Sequence, residues 1–91
     1  MPSIEIHGVR DRELAMAKYR LIRDHVRNLT CSEPIEIVIC SDKFELPPEY
    51  NGEEVVRVRS TRGDHEHEVH KILQALLPLK STVKVIASYQ A

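Results

Sequence analysis

The chain has 91 residues, a formal net charge of −1, 42% hydrophobic and 30% charged residues. These figures describe one small globular domain and exclude a disordered chain, a second domain and an overall basic field for nucleic acid. No apolar run approaches the ~20 residues of a bilayer-spanning helix, and the first nine residues lack the basic-then-apolar pattern of a signal peptide, so a cytoplasmic protein without membrane association is expected.

Ser3 to Val9 alternates Ile4 and Ile6 with Glu5 and His7, the period of a half-buried strand. Asp11 is a helix N-cap with Glu13 in the first turn. From there to about Asn28, Leu14, Ala15, Ile22, Val26 and Leu29 recur at helical spacing, opposite Arg20, Arg23, Asp24 and Arg27. After a break from Thr30 to Pro34, the β-branched run Ile35 to Cys40 predicts a central strand. Residues 41–54 hold Pro47-Pro48 and the turn signal Asn51-Gly52, and so form a loop. Val55 to Arg59 alternates again. Asp64 caps a second helix whose stripe is Val69, Ile72, Leu73, Leu76 and Leu77, with Pro78 as its stop. Val83, Val85 and Ala87 mark the last strand.

The fold class is therefore α/β (α+β). Two β-α-β units, about 2–40 and 55–89, form one domain with a four-stranded mixed sheet and two helices on one face. Two arrangements share this order of elements. In the ferredoxin-like one the second and third strands commonly form a hairpin. In the other the two units are related by a pseudo-twofold. The fourteen residues of loop 41–54 exceed the ~2–5 of a usual hairpin loop and favour the second.

Pro2 carries the chemistry. With Met1 removed it is a secondary amine with a strand directly behind it. An α-amino group has a pKa near ~8, and burial or neighbouring cations lower it. A neutral amine can take a proton from carbon beside a carbonyl and return it elsewhere, which is keto–enol tautomerisation. An adjacent arginine would hold a substrate carboxylate or the developing enolate charge.

The run Pro-Ser-Ile-Glu-Ile-His, the arginine-containing turn, the long amphipathic helix and Ile-Glu-Ile-Val-Ile resemble the first β-α-β unit of 4-oxalocrotonate tautomerase. The two-unit layout is similar to that of the larger members of the tautomerase superfamily, of the macrophage migration inhibitory factor type. The resemblance implies a tautomerase or isomerase acting on a small 2-oxo or enol carboxylic acid. Pro2 would be the general base, and Arg12 would be a substrate-binding residue. It also implies a homo-oligomer, a trimer. Where 4-oxalocrotonate tautomerase has a second arginine, this chain has Glu36. Arg57 and Arg59 are the substitutes for it, and Glu36 is expected to pair with one of them, directly or across a subunit boundary. The alternative is a non-catalytic ferredoxin-like or degenerate tautomerase-like module that binds a ligand or partner.

Other residues carry blander readings. Cys31 and Cys40 form no C-x-x-C pair and read as thiols of a reducing compartment, Cys40 as a small core side chain. In the Asp64-to-His70 run only His67 and His70 share a helix face, and no ligand spacing of a known metal motif is present. No metal and no cofactor are expected. His7 and His25 read as packing or surface residues. The aromatics Tyr19, Phe44, Tyr50 and Tyr89 lie outside the first and third strands, where a ferredoxin-like RNA binder stacks bases, so no nucleic-acid partner is expected.

Overall fold

A computed structural model describes residues 3–29, 34–40, 53–60 and 66–89. The elements in order are β1 (Ser3–His7), α1 (Arg12–Val26), β2 (Glu36–Ile39), β3 (Val55–Ser60), α2 (Glu66–Ala75), a 3-10 helix (Leu77–Ser81) and β4 (Lys84–Tyr89). The sheet order is β2-β1-β3-β4. β1 runs parallel to β2 and β3 parallel to β4, while β1 and β3 are antiparallel. Order and direction thus have the symmetry of a twofold axis between β1 and β3. The β2–β3 hairpin of the ferredoxin-like alternative does not occur, because β1 lies between these two strands.

The run from Ile35 to Cys40 is an edge strand, not the central one expected of it. Its β-branched side chains fit a pleated surface, but that preference does not choose a position in the sheet. The centre goes to the strands buried on both faces. From Ile4 to His7 every residue of β1 is buried, and in β3 all are buried but Arg59.

One face of the sheet meets both helices. Ile4, Ile6, Val56 and Val58 share a core with Ile22 and Val26 of α1, with Val69 and Ile72 of α2, and with Leu76 directly after α2. α1 starts as its sequence dictates. The Asp11 carboxylate accepts hydrogen bonds from the backbone N–H of Glu13 (2.8 Å) and Leu14 (3.3 Å). At the other end His25 Nδ1 meets the Leu21 carbonyl at 2.8 Å. Gly8 leaves β1 with φ +81° against the backbone of Glu53, a place where a Cβ would collide with the Glu53 carbonyl.

Two boundaries shift from expectation. α2 ends at Ala75, and Pro78 lies in the first turn of the 3-10 helix rather than stopping α2. The first turn needs no N–H from proline, so Pro78 begins a helical segment as readily as it ends one. Leu77 falls outside α2 and is exposed, while Leu79 supplies the buried contact. Met1, Pro2, residues 30–33 with Cys31, residues 41–52 of the expected loop, residues 61–65 with the expected Asp64 cap, and residues 90–91 lie outside the described residues.

Candidate functional site: a buried polar cluster behind the helices

Register places the polar side chains. In β1, Ser3, Glu5 and His7 project to the face opposite Ile4 and Ile6. Directly paired residues share a face, so Arg59 stands beside Ser3, Arg57 beside Glu5 and Val55 beside His7. On the other side of β1, Glu36 is opposite Ser3 and Val38 opposite Glu5. The Cys40 N–H donates to the Ile6 carbonyl at 2.8 Å, which continues the parallel ladder and brings Cys40 alongside His7.

Although both helices pack on the other face, this cluster is buried. Glu5 is 5% exposed, His7 4%, Arg57 8% and Cys40 3%. Glu5 Oε1 is the hub. It accepts a hydrogen bond from Arg57 Nε at 2.8 Å, lies 2.7 Å from Arg57 Nη2, and meets His7 Nε2 at 3.0 Å. Oε2 has the longer approach of Arg59 Nη1 at 3.5 Å. Among the described residues no buried side-chain polar atom lacks a hydrogen-bond partner, so the cluster satisfies the rule that buried charge must be paired.

Electrostatics follow from that geometry. Burial pushes the Glu5 carboxyl up, but the hydrogen bonds from His7 and Arg57 and the Arg57 charge outweigh it and hold the pKa below its ordinary 4.5. Glu5 is therefore an ionised anchor. Burial, with the Glu5 charge adding to it, pushes the Cys40 thiol up to about 11. Cys40 is a thiol rather than a standing nucleophile.

The structure brings together two of the four site residues expected from sequence, Arg57 and Arg59, one row apart on β3. Arg12 is the exposed first residue of α1, beyond the His7 end of β1, whereas Arg59 is at the Ser3 end. The four residue steps between those ends span roughly 13 Å of strand, so one protomer does not put Arg12 and Arg59 in one site. Pro2 lies outside the described residues, directly before Ser3.

Within one protomer the direct pairing expected of Glu36 does not form. Glu36 is exposed on the edge strand, and among the described residues no ion pair engages it. The carboxylate that meets both arginines is Glu5. The reason is distance: Glu36 stands two strand spacings from Arg59, roughly 10 Å, with Ser3 between them, whereas Glu5 is directly across from Arg57. Sequence reading left Glu5 and His7 as the outward side of a half-buried strand. The available signal was charge complementarity between one glutamate in the first strand and the Arg-Val-Arg of the third.

Comparison of the chain with protein-family models, with curated proteins and with solved structures returned no match.

Proposed function

We propose that this protein is a tautomerase-like isomerase of small 2-oxo or enol carboxylic acids, with Pro2 as general base once Met1 is removed. One observation carries the reading: Arg59 is paired with Ser3, the residue that follows Pro2 in the chain. An arginine therefore stands across from the residue that follows the proline. Arg59 is partly exposed, with 26% of its side chain open, and its hold on Glu5 is long. It is the arginine suited to bind a substrate carboxylate. Arg57 is committed to Glu5 and acts as a positioning residue that keeps the Glu5 carboxylate, and through it Arg59, in place.

The two β-α-β units joined along an antiparallel β1–β3 pair support the same reading, since the resemblance to the tautomerase superfamily implies that layout. Arg12 enters as a substrate-binding residue from a neighbouring copy, because its own protomer holds it at the far end of β1. This agrees with a homotrimer assembled through the face that carries the part-buried Val38 and Ile86.

The test begins with the intact mass, which shows whether Met1 is gone, and with light scattering for the trimer. Enol-to-keto conversion of phenylenolpyruvate then reads the chemistry. Pro2→Ala should lower kcat, and Arg59→Gln should mainly raise KM. Protein that lacks Met1 yet turns over none of several 2-oxo acid enols is a binding module instead. That second reading is favoured by the contact of Glu5 with both arginines, which offsets the positive charge offered to an anion.

A further inference from the structure

We propose that Glu5, His7 and Cys40 form a binding site for a divalent transition-metal ion of the zinc class. The site shares Glu5 with the ion-pair cluster that holds Arg59, but its test does not depend on the function proposed for the Pro2 end of the sheet.

The geometry points there directly. A carboxylate oxygen of Glu5, a ring nitrogen of His7 and Sγ of Cys40 all lie within 4.8 Å of one another, and all three residues are buried. Ligands about 2.0–2.3 Å from a tetrahedral zinc are themselves separated by somewhat under 4 Å, so rotamer adjustments of less than an ångström or so close the set. One O, one N and one S donor form a mixed set that suits zinc or cobalt(II) and disfavours magnesium or calcium, which take oxygen ligands. Three ligands among the described residues leave one further position of a tetrahedral ion to be filled.

The backbone fixes these donors more firmly than a loop would. Glu5 and His7 are two residues apart on a central strand and so share a face. Cys40 is held against β1 by its N–H bond to the Ile6 carbonyl. Arg57 supplies the outer support that metal carboxylates usually have, by gripping Glu5 Oε1 through Nε and Nη2. Oε2 is the less committed oxygen, with Arg59 at 3.5 Å. On binding, Cys40 releases its proton to solvent and ligates as thiolate. The ion brings two positive charges and the proton removes one, so the cluster gains a single charge. The Glu5 carboxylate and the new thiolate face the ion, and the guanidinium of Arg57 stays on the far oxygen.

The cluster shares no residue with the histidine-rich run His65 to His70. No linear motif marks the cluster, because its ligands come from two strands that are adjacent in space and more than thirty positions apart in sequence.

The experiment titrates cobalt(II) into chelator-treated full-length protein under reducing conditions. The expected result is one equivalent bound, with a thiolate-to-cobalt charge-transfer band in the near ultraviolet and tetrahedral visible bands that zinc abolishes by displacement. Cys40→Ser should lose the charge-transfer band and His7→Gln should weaken binding by about tenfold or more, whereas Cys31→Ser should keep both. Circular dichroism checks that each variant is folded, and Cys40→Ala replaces Cys40→Ser if the buried hydroxyl unfolds the chain. A wild-type protein with no sulfur band overturns the assignment without any variant. A band that survives loss of Cys40, or that disappears with Cys31, overturns it equally.

Discussion

Replacing Glu5 by glutamine tests what holds the centre of the sheet. The change keeps size and an acceptor oxygen, but it removes the charge against which Arg57 is buried at 8% exposure. Oε1 holds Arg57 Nε at 2.8 Å, Arg57 Nη2 at 2.7 Å and His7 Nε2 at 3.0 Å, so charge-assisted bonds converge on one atom. Removing one partner of a buried ion pair costs about 3–5 kcal/mol. Glutamine still accepts a hydrogen bond, which puts Glu5→Gln at the lower end, about 3 kcal/mol. For a domain of this size that is a drop in Tm of roughly 12–24 °C. Urea unfolding of metal-free protein measures it. The double variant Glu5→Met with Arg57→Met should recover most of the loss, because it removes both charges and keeps apolar volume. A Glu5→Gln loss below about 1 kcal/mol, at the level of a surface ion pair, would refute the reasoning. The same pair predicts the acid limit. The folded pKa of Glu5 lies below its unfolded value of 4.5. Its contribution is therefore complete above that pH and is lost as pH falls through the folded pKa. Glu5→Gln should flatten this acid limb of the stability profile.

Two further outcomes rest on single residues. Gly8→Ala should destabilise by more than about 1 kcal/mol in urea unfolding, since φ is +81° and the added Cβ meets the Glu53 carbonyl, which is backbone and cannot rotate away. Cys40 sets an alkaline limit: its folded pKa of about 11 exceeds the ordinary 9.0, so the stability tied to the neutral thiol is complete below pH 9 and is lost as pH rises toward 11. Metal-free protein should be about 1 kcal/mol less stable near pH 10 than near pH 8, and Cys40→Ala should remove that difference.

Local pattern determined the elements and their inward faces. Alternation in Ile4–Ile6 and Val56–Val58, and helical spacing in Ile22–Val26 and Val69–Ile72–Leu76, define the apolar sides that meet in the core. The Asp11 cap was legible for the same reason: its partners, the N–H groups of Glu13 and Leu14, are two and three residues away. What lay beyond local pattern was the order of strands and everything that depends on it. Hydrophobic periodicity says which way a side chain points but not which strand lies beside it. The run from Ile35 to Cys40 therefore read as central and is an edge, while β1 and β3, buried on both faces, hold the centre with an ion pair between them. Glu5 and Arg57 are 52 residues apart in the chain and 2.7 Å apart in space. Only the antiparallel register of β1 with β3 decides that Glu5, and not Glu36, is the partner of the arginines. Only the parallel register of β1 with β2 brings Cys40 to His7, because tertiary pairing, not sequence spacing, sets the distance between strands.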